Sequence, residues 1–462
     1  MLMLIPGLLL SVIVPLLAGL PWMLFIQRPR GSAGGWPLAL AYGYVLGLLV
    51  MVVGIRALSV AHLPIGLPYA SIIPVLVGGI GWWRIRSSTG FFQTTAKARA
   101  TWRSTKGMTR AVCLVLLFLI ASRLVTLGAE ILLRPVFPWE AVSSIAAKAR
   151  VWYELGTMVQ FVPPAAWLEG AGNHTDADAS ALALPSLLQV WTANAIGQWH
   201  EGAIGFPWWA LGLCVTLALY GHVRRTGGGV AFALTIGYLF ISLPLVDLHI
   251  ALAGAPQWIA AAGTGLAGCA MLRWLEFPSR ELMCCFAIGT ALALFSLAST
   301  WPWFAIFLLA LMLRRWPRIA RKLAVAAPLV VLVGLLALLQ TPLRINGIEY
   351  RLQVAAGWGE TLESLFLLDS WHLLYGVALL VAGTGWRYLA TPQWLARTWI
   401  VAAGLGLLFV WGVLSLPGVW YGGLRDFSYA ALQFAPILVL WAAMTAHATA
   451  KRSTERAVVT SF

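Results

Sequence analysis

Glu140 is the carboxylate best placed to do chemistry. It follows an apolar run that closes at Pro135 and Pro138, and it stands beside Trp139. A carboxylate at the mouth of a membrane-buried helix can take the proton of an attacking hydroxyl or amine, and oxygen ligands of this kind also suit a divalent cation. Lys148 lies about two helical turns further on, with Arg150 beside it. A base with cations nearby can deprotonate an acceptor while a phosphate is held, and arginine is well shaped for phosphate. Arg351 and Arg425 are the further candidates for phosphate. Asp247, His249, Asp426 and Tyr421 are the other polar residues expected to line the same outer cavity. His174, Asp176 and Asp178 have the spacing of metal ligands, but their Gly-, Asn- and Ala-rich surroundings read as a solvated loop, so no metal set is assigned. Arg123, in mid-span, needs a partner, and Glu130, seven residues on, is the candidate.

These residues must be positioned by membrane helices. Of the 462 residues, 60% are hydrophobic and only 10% charged, against about 25% charged in a soluble domain. Together with 25 tryptophans and 45 glycines, this excludes a soluble enzyme, a disordered chain and a nucleic-acid-binding domain. Spans are expected near 4–26, 36–59, 69–84, 110–134, 207–223, 229–247, 251–272, 281–298, 301–313, 323–340, 369–386, 398–416 and 429–447. The fold class is therefore all-α: a polytopic membrane bundle of about 13 helices. Residues 181–199 are apolar but would place Arg224 and Arg225 outside if they crossed. They are expected to lie in the outer interface, with Trp191, Trp199, Trp208 and Trp209 at the belt. The five cysteines sit in apolar runs without zinc-ligand or redox spacing.

The net charge of +15 resolves into clusters. Arg84–Arg110, Arg224 with Arg225, Arg314–Lys322 and Lys451–Arg456 are basic. Placing them in the cytoplasm puts the N-terminus outside and the C-terminus inside. Most acids then fall on the outer side, many of them in the long segment 135–206. Three regions follow: 1–109, three helices and a basic loop; 110–447, the main membrane domain, with its outer loop at about 135–206; and 448–462, a cytoplasmic tail.

The segment PWEAVSSIAAKARVWYE resembles the WDAWAIWxLKAK segment of bacterial membrane glycosyltransferases of the GT-C fold, relatives of protein O-mannosyltransferases and of the lipid A aminoarabinose transferase. Glu140 stands where that family has its catalytic Asp, and Lys148 and Arg150 stand at the two lysines of LKAK. Further similarities run in the same order. SALALPSLLQVW resembles HPDYPLLLPLLVAW, PLVDLHIALAGAPQWIAAAG resembles the TSGYADLPLA segment, and RDFSYAALQFAPILVLWA resembles the RYLLPLLPLLLLLA ending. The chain departs from the pattern in three places. The first-loop Asp is Glu, GAPQW has no acid where the family reads YADLP, and STWP lacks the lysine and glutamate of TKNEG. The resemblance covers roughly 110–447. It implies an inverting glycosyltransferase of the inner membrane. Its donor substrate would be a polyprenyl-phosphate-linked sugar, and its acceptor an envelope glycan, a lipid glycan or a protein. Two other readings compete: a flippase for a polyprenyl-linked glycan, and a non-catalytic scaffold of the same descent.

Overall fold

The computed structural model describes residues 4–27, 34–86, 107–176, 178–179, 181–316, 318, 343–345, 348–350, 353–354, 358–367, 369–389, 391–415 and 424–460. The expected span 323–340 lies outside them. Helices dominate: α1 (Leu4–Gln27), α2 (Gly35–Val60), α3 (Leu67–Arg86), α4 (Gly107–Leu133), a π-helical turn (Ala141–Ala146), α5 (Ala147–Leu155), α6 (Pro164–Leu168), α7 (Leu184–Ile196), α8 (Phe206–Arg225), α9 (Val230–Ile241), α10 (Pro244–Ala251), α11 (Pro256–Glu276), α12 (Arg280–Ser296), α13 (Trp301–Arg315), α14 (Trp358–Phe366), α15 (Leu374–Leu389), α16 (Pro392–Val413) and α17 (Leu424–Thr460). Two short antiparallel strand pairs accompany them, Leu343–Ile345 with Ile348–Tyr350 and Gln353–Val354 with Leu414–Ser415.

The protein is a helical, multi-pass membrane protein. Among the described residues, five helical stretches are long and apolar enough to cross a bilayer: Leu4–Gln27, Gly35–Val60, Gly107–Leu133, Ala203–Arg225 and Phe427–Arg452. The expected span 229–247 is broken, with α9 and α10 meeting at 62°. Pro244 causes the break. It has no N–H to offer the helix, and its ring would clash with the carbonyl one turn back. Counted together, the pair makes a sixth candidate. Three more expected spans form helices of only 17, 15 and 16 residues (α12, α13 and α15). At 1.5 Å per residue these reach about 23–26 Å, less than the roughly 30 Å of hydrocarbon.

α11 runs through the centre. Every residue from Pro256 to Glu276 is buried except Trp274 and Glu276. Its sides are lined with small residues. A Cβ on Gly263 would come within 2.5 Å of the Ala293 nitrogen, and one on Gly289 within 2.5 Å of the Ala267 nitrogen. α11 and α12 therefore cross backbone to backbone through a pair of small-xxx-small faces, Gly263/Ala267 and Gly289/Ala293, which is how membrane helices gain contact where lipid is as apolar as leucine. The first three helices share this core: the buried Tyr42 hydroxyl of α2 donates to the Leu266 carbonyl of α11 at 2.8 Å and lies 3.1 Å from His222 Nε2 of α8.

The segment expected at the outer interface is interior. α7 has 13 residues, and all but Asn194 and Ile196 are buried. Trp191 and Trp208 are fully buried. Their indoles donate to the Ser11 carbonyl at 2.9 Å and the Ala255 carbonyl at 2.7 Å. An apolar helix flanked by tryptophan fits an interface and a core equally well in sequence; here the tryptophans tie backbone segments together.

Candidate functional site

Glu140 follows the non-helical stretch 134–138 that leaves α4, in the first helical residues after it. The helix after it opens at once into six π-helical residues. Such wide turns leave carbonyls in need of outside donors and recur at functional sites. Here Ser186 of α7 donates to the Ile145 carbonyl at 2.9 Å. The turn also shifts the expected register between Glu140 and Lys148.

Glu140 is half-buried. Gln257 Nε2, in the first turn of α11, donates to its Oε2 at 2.7 Å. Gln257 is the glutamine of GAPQW, in the segment where the resemblance led one to look for a second acid. What the fold sets there is a neutral amide donor on the first acid. The turn before α11 is shaped to allow this. Gly254 has φ +105°, and a Cβ there would lie 3.0 Å from Ala141 Cβ and from Val136 Cγ1, and 3.3 Å from Gln189 Nε2. Gln189 itself is fully buried, and neither amide atom has a hydrogen-bond partner among the described residues. An orphaned buried amide costs roughly 1–3 kcal/mol, so this corner carries unused polar capacity beside Glu140. A cleft next to it, lined by Arg134, Val136, Glu201 and Ala253 among others, has room for about 10 Å³, the space of one water.

Lys148 points elsewhere. Its side chain is 5% exposed and forms an ion pair with Asp176, itself 2% exposed. Lys148 Nζ also donates to the Asp178 carbonyl at 2.6 Å and sits 6.0 Å from the Phe161 ring centre. Asp176 accepts from Ser144 Oγ at 2.7 Å and from the Asp178 amide at 3.1 Å. The reading of His174, Asp176 and Asp178 as a solvated loop is thus corrected at its centre. Asp176 is an interior anchor that pins its loop onto the π turn, and Val162 N donates to the His174 carbonyl at 3.0 Å to continue the tie. No group of three metal-ligating side chains forms among the described residues. Arg150 is exposed and only loosely paired, 3.9 Å from Glu154 and 3.8 Å from Glu201. Nearby, burial together with the neighbouring Glu154 carboxylate pushes the Tyr153 phenol up, which keeps it a neutral hydrogen-bonding group.

Asp247 and His249 lie on α10. Arg123 takes Asp247 as its partner at 2.8 Å, not Glu130, which pairs with Arg134 at 2.5 Å. The Pro244 break swings Asp247 towards α4, a tertiary event that the seven-residue spacing does not contain. A groove of about 360 Å³ opens there, lined by Leu119, Ser122, Arg123, Thr126, Tyr238, Ser242 and His372. His249 Nδ1 is 2.8 Å from the Leu245 carbonyl, and its ring meets Tyr429 edge-on at 5.7 Å. Arg351 and Tyr421 lie outside the described residues, as do the side chains of Arg425 and Asp426. No protein family, no curated protein and no solved structure matches this chain.

Proposed function

We propose that this chain is a glycosyltransferase of the bacterial inner membrane, with thirteen spans, its N-terminus outside and its C-terminus in the cytoplasm. It moves a sugar from a polyprenyl-phosphate donor to an extracytoplasmic glycan, lipid glycan or protein. The observation that supports this best is the contact between Glu140 and Gln257. Gln257 Nε2 fixes the direction of the half-buried carboxylate by a hydrogen bond to Oε2. In the reaction Glu140 takes the proton of the acceptor hydroxyl. The acceptor oxygen bonds to the anomeric carbon on the face opposite the phosphate, and the bond from that carbon to the phosphate oxygen breaks. The electron pair leaves with the polyprenyl phosphate, which Arg150, Arg351 and Arg425 receive. Lys148 contributes by holding the loop. Glu140→Gln keeps the shape and removes the base. Transfer from polyprenyl-phosphate sugars should fall about 10²–10⁴-fold with an unchanged melting temperature; full activity would remove Glu140 from this role.

A second reading rests on the groove at the α9–α10 break. Broken helices with charged residues line transport sites, and the Arg123–Asp247 pair lies there. If the chain flips a lipid-linked glycan, Arg123→Ala abolishes movement of a fluorescent polyprenyl-linked sugar across proteoliposomes. An unchanged rate eliminates the transport reading.

A further inference from the structure

α4 shows most of its surface outward. Only four of its residues are buried, and Phe118 and Val125 stand 71% and 70% exposed on it, as lipid contact requires. One stripe breaks the apolar pattern. Leu119, Ser122, Arg123 and Thr126 fall at i, i+3, i+4 and i+7, a single helical face. They form one wall of the groove of about 360 Å³ at the α9–α10 break, and Tyr238, Ser242 and His372 form the other. Its size is that of a small-molecule pocket, which runs from about 300 to 1,000 Å³. Arg123 is about 15 Å by helix rise from the Leu133 end of α4 and about 24 Å from the Gly107 end. The stripe is therefore polar within a span, where polar side chains are costly and mark function.

The second wall is held in shape at a conformational cost. His372 Nε2 lies 3.0 Å from the Ser242 carbonyl, which stands at the break before Pro244. A carbonyl only accepts, so Nε2 carries the proton. The backbone reaches this contact through two left-handed residues in succession, His372 at φ +43° and Leu373 at φ +58°. Residues other than glycine rarely adopt that conformation, and it persists where the surrounding structure holds a site in place.

The hydrogen-bonding character of the lining selects the ligand. Arg123 is already answered by Asp247 at 2.8 Å, so the groove offers a guanidinium without offering a net charge. Two of the hydroxyls have committed their protons to backbone carbonyls: Thr126 Oγ1 donates to Arg123 at 2.8 Å, and Ser242 Oγ donates to Leu239 at 3.1 Å. Each of these oxygens can only accept from a ligand. A phosphate brings acceptors alone and would set lone pairs against them. A sugar hydroxyl can give its proton to one of these oxygens and take another from Arg123. Ser122 and Tyr238 add hydroxyls that both give and take. The rim is apolar, with Leu239 and Leu373 exposed beside Phe118 and Val125, which suits hydrocarbon chains attached to the sugar.

We propose that this groove binds an uncharged sugar, presented as the headgroup of a glycolipid that enters sideways from the bilayer. Its hydroxyls donate to Thr126 and Ser242 and accept from Arg123, and its chains lie along α4. The transport reading uses the same groove, and the proposal names the ligand chemistry there; it requires neither movement across the membrane nor transfer at Glu140. The groove and the cleft beside Glu140 share no lining residue.

The test uses the full chain, delipidated in a detergent that carries no sugar. The probes are monoglucosyl and monogalactosyl diacylglycerol, diacylglycerol itself, phosphatidic acid, and free glucose and galactose. None carries a polyprenyl phosphate, so the result is independent of transfer and of transport. At least one glycolipid should add a single lipid mass to the native ion and raise the melting temperature by about 2–5 °C, with diacylglycerol and phosphatidic acid inert. An equal rise with a free sugar supports the sugar site and makes the free sugar its occupant. Thr126→Val and Ser242→Ala each remove one acceptor whose only printed bond is to its own helix, so both variants should fold with the melting temperature of the unaltered chain. Each should weaken glycolipid binding about 2–10-fold. Binding of phosphatidic acid as tight as that of the glycolipids, equal shifts from diacylglycerol and the glycolipids, no shift from any sugar-bearing probe, or a Thr126→Val, Ser242→Ala double variant that binds as tightly as the unaltered chain overturns the proposal.

Discussion

Lys148→Met is the substitution that separates a loop anchor from a phosphate ligand. The Lys148 and Asp176 side chains are 5% and 2% exposed, so removing the ammonium strands a carboxylate away from water. Two donors remain to Asp176, from Ser144 Oγ and the Asp178 amide. They soften the loss without replacing the charge. Breaking one side of a buried pair costs about 3–5 kcal/mol, and here the cost falls on the loop, because the contact joins the π turn to residues 176–178. Each 1.4 kcal/mol is tenfold, so opening of the loop should become roughly 10²–10³·⁵ times more frequent. Hydrogen exchange reads this directly. The Val162 amide donates to the His174 carbonyl and the Asp176 amide to the Val162 carbonyl, and both should lose protection by that factor, while the interior helix α11 does not change. The double variant Lys148→Met with Asp176→Leu removes both charges and should recover most of the protection, because a hydrophobic pair can replace a buried ion pair at little cost. If Lys148→Met leaves exchange at residues 160–178 within threefold of the original, or the double variant is worse than the sum of the singles, the anchor argument fails and Lys148 returns to the donor phosphate.

Two further outcomes follow from backbone packing. Gly254→Ala meets a φ of +105° and a Cβ 3.0 Å from two side chains; it should lower stability by about 1–3 kcal/mol and lengthen the Glu140–Gln257 contact, read as a lower melting temperature together with reduced transfer. A lower melting temperature with full transfer would separate the turn from the site. Gly263→Val must force the crossing apart, because even a Cβ there would lie 2.5 Å from the Ala293 nitrogen and 2.9 Å from the Gly289 carbonyl oxygen; folded protein recovered from membranes should fall severely, and normal recovery would refute the close crossing.

The apolar helices were legible because hydropathy is a local property. That Glu140 lies just past the end of a long apolar helix was legible for a related reason: two prolines and a tryptophan beside it mark where the helix stops. Its partner was not, because Gln257 is 117 residues away and a glutamine has no charge to draw attention. Asp176 was misread for the opposite reason. Its neighbours in sequence are those of a solvated loop, while its neighbours in space are Ser144 and Lys148. The helical spacing of Arg123 and Glu130 suggested a pair, yet a proline one turn before Asp247 brought a better partner. In each case the neighbours along the chain described the local backbone and missed what a distant segment offered.

The small residues along α11 also bear on movement. Where it crosses α12, through Gly263 and Ala267 against Gly289 and Ala293, the helix presents no bulky side chain to lock a register, so polar contacts at its two ends help to fix its position. At one end Gln257 holds Glu140; at the other Arg273 reaches α8 at the Arg225 carbonyl and Glu276 reaches α16 at Arg397. α11 thus joins the Glu140 corner to the arginine–glutamate contacts at its other end. If α11 shifts when the Glu140 corner is occupied, the influence must run equally in both directions, so Glu276→Gln, which loosens the other end, would change the affinity measured at that corner.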